Sequence, residues 1–186
     1  TLALVMLMTL FIAPLGIATA LYLTEYARRT WYTKLIRISI MNLAGVPAII
    51  YGVFGLGFFV YGLGGQVDEL FFSDRLPSPT FGTPGLLWAA LTLALLNLPI
   101  VIVAITEGLD SLPSDLREAS IALGATKGET VFRAVLPAAL PSVFTGLILA
   151  AARGAGEVAP LLLVGAVKYA PSLPFSAKAP FIELEQ

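Results

Sequence analysis

Four long apolar stretches constrain the possible folds of this chain more than any other feature of its sequence. The first three, at about residues 2–23, 38–63 and 85–105, contain no Asp, Glu, Lys or Arg, and the fourth, at about 141–167, contains only Arg153 and Glu157. About 20 consecutive apolar residues are enough for a helix to cross the hydrocarbon core of a bilayer. We therefore predict an all-α integral membrane protein, in which residues 1–186 form one transmembrane domain, a polytopic helix bundle.

The composition excludes a water-soluble globular domain and most kinds of enzyme. Of the 186 residues, 58% are hydrophobic and 12% are charged, whereas about 25% are charged in average soluble domains. The chain has no Cys and no His, which removes thiol nucleophiles, imidazole bases and most zinc or haem sites. The sequence also lacks P-loop, HExxH and GxSxG patterns. We expect no catalytic constellation, no metal site and no cofactor, and the net charge of −1 gives no reason to expect a nucleic-acid partner.

The positively charged residues indicate which ends of the predicted spans face the cytoplasm. Seven of them lie between spans one and two or between spans three and four, against three on the other side: Arg28, Arg29, Lys34, Arg37, Arg117, Lys127 and Arg133 against Arg75, Lys168 and Lys178. Since cytoplasmic loops carry an excess of Lys and Arg, we predict that residues 106–137 are cytoplasmic. We interpret the acidic residues Asp68, Glu69 and Asp74 as part of an ordinary solvated loop outside.

Residues 106–137 carry the signals of two short helices that meet at a corner. The first helix is indicated by Ser114 as a cap, Asp115 and Glu118 in the first turn, Leu116, Ala119, Ser120 and Leu123 along one face, and Gly124 after the last turn. A capping-box pattern from Thr126 to Glu129 starts the second helix, which we expect to end at Pro137. The first helix is too short to be stable alone, so we expect it to pack on its own bundle or on a separate protein.

The spacing in this segment resembles the EAA motif of type I ABC importer permeases. That motif reads Glu-Ala-Ala, three residues, Gly, nine residues, Ile, one residue, Leu-Pro, and this chain has Glu118-Ala119-Ser120, Gly124, Ala134 and Leu136-Pro137 at the same spacing. The departures, Ser120 for Ala and Ala134 for Ile, keep both positions small or apolar. The resemblance implies that the first helix is a coupling helix that sits in a cleft of an ATPase subunit. It assigns seven residues to the docking surface: Leu116, Arg117, Glu118, Ala119, Ser120, Leu123 and Gly124.

A second segment is similar to phosphate permeases of the PstA type. Residues 151–162 match the pattern Ala-x-Arg-x-x-Gly-Glu-x-Ala-Pro-Leu-Leu of that group. The resemblance implies six spans, of which four lie in this chain, and the chain begins inside an apolar run, so we expect truncation at both ends. It also implies a bacterial or archaeal plasma (inner) membrane location. The implied partners, besides the lipid bilayer, are a dimer of ATP-binding subunits that hydrolyses the ATP, a second similar permease and an extracytoplasmic phosphate-binding protein.

Arg153 and Glu157 lie four residues apart, on one face of the predicted fourth span. Ionisable residues within a membrane are rare and usually face a polar interior. One interpretation is that Arg153 lines the substrate pathway and binds an anion, with Glu157 orienting it, because a guanidinium donates two parallel hydrogen bonds to phosphate. The other interpretation is an ion pair that only locks the bundle.

The sequence leaves two other functions open. One is a type I ABC permease for a different substrate, such as molybdate, sulfate or an amino acid. The other is a secondary transporter with broken helices, driven by an ion gradient and without an ATPase partner. The spacing of the coupling-helix motif disfavours the secondary transporter, and the phosphate permease is the function we expect for this transport subunit, which is not itself an enzyme.

Overall fold

The structure, a computed structural model, describes residues 1–28, 30–72 and 80–165 as a set of packed helices. These residues form seven helices: α1 (Leu2–Tyr26), α2 (Trp31–Leu43), α3 (Ala48–Phe71), α4 (Leu86–Asp110), α5 (Ser114–Ala122), α6 (Lys127–Gly156) and α7 (Leu161–Val164). Within these ranges every element of regular structure is helical. Helices α1, α3, α4 and α6 are long and apolar enough to cross a membrane. The prediction of an all-α membrane bundle is therefore confirmed.

The second span starts later in the structure than the sequence predicted. Residues 38–43, which we placed in it, belong to the separate helix α2, none of whose residues is buried. The chain then turns through Ala44 to Pro47, and α3 begins at Ala48 and continues to Phe71. Pro47 lacks an N–H and is extended, at φ −56° and ψ 134°, so it breaks the apolar run into two helices.

The last spanning helix, α6, is also displaced from its predicted position at 141–167. It begins at the capping box and passes through Pro137, where we expected a helix to end. The turn at Val131–Val135 is a wider π turn, in which the N–H of Leu136 bonds to the carbonyl of Val131. Because π turns relieve the clash that a proline causes in the preceding turn, the helix continues to Gly156. The predicted residues beyond 165 lie outside the described part of the chain.

Helix α4 forms the centre of the bundle and packs against both α1 and α6. Its buried residues lie on most sides of the helix. In contrast, α1 buries mainly one stripe, joined near the end of the helix by Leu21 and Leu23; the stripe runs at four-residue steps through Leu4, Met8, Ile12, Gly16 and Ala20. Residues four apart share one face of a helix, so α1 turns this stripe towards α4 and exposes its other apolar side chains. An apolar outer surface is what a bundle surrounded by lipid presents.

A glycine sets the distance between α4 and α6. Gly108 of α4 lies so close to Ser142 of α6 that an added Cβ would overlap the Cβ and Oγ of Ser142. Because an overpacked contact costs about 1–3 kcal/mol or more, we expect Gly108→Leu to lower the thermal denaturation midpoint of the full-length protein in detergent. Gly57→Leu is the matched control, since no atom lies within 4 Å of an added Cβ at Gly57. Equal midpoints for the two variants would contradict this packing.

At the end of the bundle that lies away from α5, Asp68 joins α3 to the residues that precede α4. Its buried carboxylate accepts the backbone N–H groups of Phe81 (2.9 Å) and Gly82 (2.6 Å), and the indole N–H of Trp88 donates to the carbonyl of Phe81 (2.7 Å). The prediction that Asp68 belongs to a solvated loop is thus wrong, because the residue lies inside α3 and binds the chain that leads into α4. Asp74, which we placed in the same loop, is outside the described residues.

Candidate functional site

The corner between α5 and α6 is fixed at both sides by local hydrogen bonds. Gly124 adopts φ +87°. Its N–H donates to the carbonyl of Ile121 (2.9 Å), and the N–H of Ala125 donates to the carbonyl of Ser120 (3.2 Å). This is a Schellman motif with glycine at its left-handed position. On the other side, Thr126 and Glu129 form the predicted capping box, each side chain accepting the other residue's backbone N–H. The sequence therefore predicted both the end of α5 and the start of α6 correctly.

The start of α5 differs from the prediction. Ser114 is the first helical residue and makes no side-chain capping bond; its hydroxyl lies 3.3 Å from the carboxylate of Asp115. The preceding residue, Pro113, is extended, with φ −57° and ψ 140°, and takes the cap position. A proline next to the first turn sets the helix start without a side-chain oxygen, because its fixed φ already suits a helix.

The side of α5 that faces away from the bundle presents small and apolar residues with two carboxylates. We call this surface the outer face; it comprises Asp115, Glu118, Ala119, Ile121, Ala122, Leu123 and Gly124, all of which are exposed. Leu123, next to the corner, is 90% exposed. Together with Ile121, which is 57% exposed, it makes this surface an apolar patch, as surfaces that contact another protein are. Four of the seven residues that we predicted to dock lie on this face.

The other three predicted docking residues turn towards the bundle. Leu116 is half-buried, and the hydroxyl of Ser120 lies 2.9 Å from that of Thr130 at the start of α6. The single small-to-apolar face predicted for this helix is therefore divided, with Ala119 and Leu123 on the outer face and Leu116 and Ser120 inside. The side chain of Arg117 points inward as well.

Arg117 binds Glu25 at the end of α1. Its Nε and Nη2 lie 3.0 and 2.7 Å from one carboxylate oxygen of Glu25, and only 24% of the Arg117 side chain and 10% of the Glu25 side chain are exposed. Nη2 also donates to the carbonyl of Leu109 in the last turn of α4, and Nη1 donates to that of Leu112 in the turn after α4. The sequence did not indicate Glu25 as a partner, because it lies 92 residues from Arg117 in the chain.

Arg153 and Glu157 form the ion pair that their spacing suggested. The Nε of Arg153 lies 3.5 Å from Oε1 of Glu157, and the two side chains are 37% and 20% exposed. Glu157 follows the last residue of α6 and is extended, at φ −77° and ψ 125°. The pair therefore lies where the helix ends, and the Arg153 side chain keeps more than a third of its surface accessible.

The helix that carries Arg153 is held tightly against α1 and α4. A Cβ added to the neighbouring Gly154 would lie 2.7 Å from the sulfur of Met8 and 3.6 Å from the amide nitrogen of Asn97. That nitrogen donates to the carbonyl of Leu93 (2.9 Å), whereas the buried amide oxygen of Asn97 has no hydrogen-bond partner among the described residues. A buried polar atom without a partner is uncommon and marks a position with a cost to stability.

The residues brought together here do not form a metal site. Within residues 1–28, 30–72 and 80–165 no three His, Cys, Asp or Glu side chains cluster closely enough to hold an ion. The charged residues of the two regions act instead as donors and ion-pair partners. What the arrangement supplies is a rigid exposed corner at one end of the bundle and an arginine on the helix that leaves that corner.

Comparison with known proteins places this arrangement in a family. Residues 12–178 match the family described as binding-protein-dependent transport system inner membrane component. The chain is 35% identical over 170 residues to the probable ABC transporter permease protein YqgI of Bacillus subtilis, covering 91% of this chain and 52% of that protein. It is 36% identical over 151 residues to the phosphate transport system permease protein PstA 1 of Mycobacterium tuberculosis strain CDC 1551 / Oshkosh (81% and 44%).

A third relative extends the similarity to another bacterium. The phosphate transport system permease protein PstA of Yersinia pestis is 37% identical over 150 residues, which is 80% of this chain and 44% of that protein. The chain thus spans about half the length of the curated relatives that it matches. These matches confirm the resemblance to PstA-type permeases that the two sequence segments indicated. The chain belongs to the family of binding-protein-dependent transport system inner membrane components, the permeases of type I ABC importers.

Proposed function

We propose that this chain is the membrane-spanning part of an ABC importer permease that moves inorganic phosphate, with ATP hydrolysed by separate subunits. The observation that carries the proposal is the outer face of α5, a rigid exposed surface with the EAA spacing on the most basic end of a membrane-spanning bundle. Because α5 is fixed to the bundle on one side and exposed on the other, its outer face can bind a partner protein. Because basic loops face the cytoplasm, the partner is an ATPase on that side of the plasma (inner) membrane.

The mechanism follows from how α5 is attached. α5 is joined to the end of α4 by three residues and to the start of α6 by the Gly124 corner. Closure of an ATPase dimer on binding ATP moves α5 as a rigid body, and α4 and α6 move with it. Such movement alternates access to the pathway between the two sides of the membrane. This chain therefore supplies geometry and substrate contacts but no bond-breaking chemistry.

Phosphate is proposed as the substrate on two grounds. The family members that share 36% and 37% of their aligned residues with this chain are named phosphate transport system permeases, and Arg153 offers a planar guanidinium with accessible surface. An arginine fork matches the oxygens of phosphate in a bidentate contact. Glu157 orients Arg153 through their ion pair and is not itself a ligand, since a carboxylate repels a phosphate anion. A second permease of the same family completes the pathway, and an extracytoplasmic phosphate-binding protein delivers the substrate.

The experiment is uptake by the full-length permease in proteoliposomes, together with a second permease, an ATPase and a phosphate-binding protein from the same source. We expect uptake of radiolabelled phosphate that requires internal ATP and that is not reduced by excess molybdate, sulfate or amino acids. Competition by one of those solutes would reassign the substrate within the same family. Uptake that persists without an ATPase and collapses with an ionophore would overturn the proposal in favour of a secondary transporter.

A further inference from the structure

The last turn of α1 is contacted by cationic side chains from three other helices. Arg117 of α5 binds Glu25 at 2.7 Å, and the ammonium of Lys127 at the start of α6 lies 5.1 Å from the ring centre of Tyr26. Arg37 of α2 donates to the carbonyl of Leu23 at 3.0 Å. This turn, Tyr22–Tyr26, is a π turn, a feature that is often found at functional sites. The end of α1 is therefore where α2, α5 and α6 meet.

Among these contacts the Arg117–Glu25 pair alone joins α1 to α5. Within residues 1–28, 30–72 and 80–165, the other side-chain hydrogen bonds of α5 run to its own residues, to Leu109 in the last turn of α4, to the turn before α5 and to Thr130 in α6. The two partners are 92 residues apart in sequence and mostly buried. Both Nε and Nη2 donate to the same oxygen, while Nη2 also donates to a carbonyl in the last turn of α4 and Nη1 to one in the turn after α4. A guanidinium with several fixed acceptors holds its position far better than a lysine does.

Helix α1 reaches from this contact to the neighbourhood of Arg153. Its buried stripe places the sulfur of Met8 3.6 Å from the amide nitrogen of Asn97, and both face Gly154. Gly154 immediately follows Arg153. If α1 moves along its axis or rotates about it, the turn of α6 that carries Arg153 therefore moves as well, because closely packed side chains transmit a shift from one helix to the next.

We propose that the Arg117–Glu25 pair is the link through which movement of α5 reaches α1, so that Arg117 is a positioning residue and not an ATPase contact. The inference rests on the proposed function, in which an ATPase moves α5. With the pair intact, α5 carries the end of α1 along, and α1 in turn shifts the packing around Gly154. When the charge of either partner is removed, α5 still docks through its outer face, but α1 no longer follows it.

The test is a double-mutant cycle in the assembled full-length complex, with Glu25→Gln, Arg117→Gln and the two combined. We expect each single variant to retain the ATPase on co-purification and to hydrolyse ATP, while the substrate transported per ATP falls at least about tenfold, which is within the usual range of coupling between sites. We expect the double variant to be no worse than the singles, because both remove one link. Arg133→Gln is the matched control, since among the described residues Arg133 pairs only with Glu129 of its own helix, at 3.7 Å and with both side chains largely exposed.

Three results would overturn the inference. Unchanged transport per ATP in Glu25→Gln would show that the pair transmits nothing, loss of the ATPase in Arg117→Gln would make Arg117 a docking residue, and additive losses would show two separate roles. Failure of the unmodified complex to transport phosphate would instead count against the proposed function. If the unmodified complex transports phosphate and the Glu25→Gln complex transports the same amount per ATP, the result counts against the link alone.

A second measurement keeps the test independent of transport rates. The chain has no cysteine, so Tyr22→Cys, an exposed position in the same turn of α1, introduces one label site in a complex made cysteine-free. We expect ATP to change the rate of maleimide labelling at this site when Glu25 is present and to leave it unchanged in the Glu25→Gln background. The same ATP-dependent change in both backgrounds would contradict the link even if the variants assemble poorly.

Discussion

Replacing Leu123 by Asp should detach the ATPase from the full-length permease while leaving the permease folded. Leu123 is 90% exposed beside the Gly124 corner and makes the outer face of α5 apolar at its tip. A protruding side chain of this kind acts as an anchor in a pocket of its partner, and losing such an anchor costs about 2 kcal/mol or more. A buried carboxylate without a partner adds a further cost. We expect association to weaken at least about 30-fold, measured by co-purification and by titration of the ATPase subunit.

Leu70→Asp provides the matched control for this prediction. Leu70 is 75% exposed and lies on α3 next to Asp68, at the end of the bundle away from α5, so the same substitution there should leave the ATPase bound. Glu118→Lys, which reverses one of the two charges on the outer face, should weaken binding as well. Should Leu123→Asp and Glu118→Lys both retain ATPase and ATP-driven uptake, the outer face is not the docking surface and the proposed function loses its main support.

The number of spans and the α5–α6 corner could be predicted from the sequence because their causes are local. Uncharged runs of sufficient length report the spans directly, and the corner is specified by Gly124 and the capping box within a few residues. The start of α3 could not be placed, because the apolar run continues across Pro47 and hydropathy alone does not show which proline ends a helix. At Pro137 the same residue type is accommodated by a π turn, which has no sequence signal of its own.

The roles of single charged residues were harder to predict because their partners are distant in the chain. The resemblance to the EAA motif implied a docking role for Arg117, and its contact with Glu25, 92 residues away in the chain, becomes visible only when α1 and α5 are packed together. Asp68 was assigned to a solvated loop for the same reason, since the N–H groups that it accepts belong to residues 81 and 82. Arg153 and Glu157, by contrast, are four residues apart, so their pairing followed from helix geometry.

Replacing Arg153 by Gln should abolish most phosphate uptake while the complex still assembles. Glutamine keeps much of the length and polarity of the side chain but removes the charge and the paired donors that suit phosphate. Hydrogen bonds to a charged group contribute about 1.5–3 kcal/mol, so we expect uptake at low phosphate to fall about 10- to 100-fold or more. Arg153→Lys retains the positive charge but not the paired donors, so its phosphate uptake should lie between that of the unmodified complex and that of Arg153→Gln. Uptake of labelled phosphate into proteoliposomes, with ATPase co-purification checked in parallel, measures the effect.

Glu157→Gln separates the two roles that the sequence left open for this ion pair. If the pair only locks the bundle, Glu157→Gln and Arg153→Gln remove the same contact, so the two variants should lower the denaturation midpoint equally and leave uptake per folded complex normal. If Arg153 contacts phosphate and Glu157 merely orients it, Arg153→Gln should reduce uptake far more than Glu157→Gln does, because only the former removes the ligand. The exposure of Arg153, 37% against 20% for Glu157, favours the second outcome, since a lock would bury the guanidinium against its partner. Normal uptake by Arg153→Gln would leave the pair a structural contact.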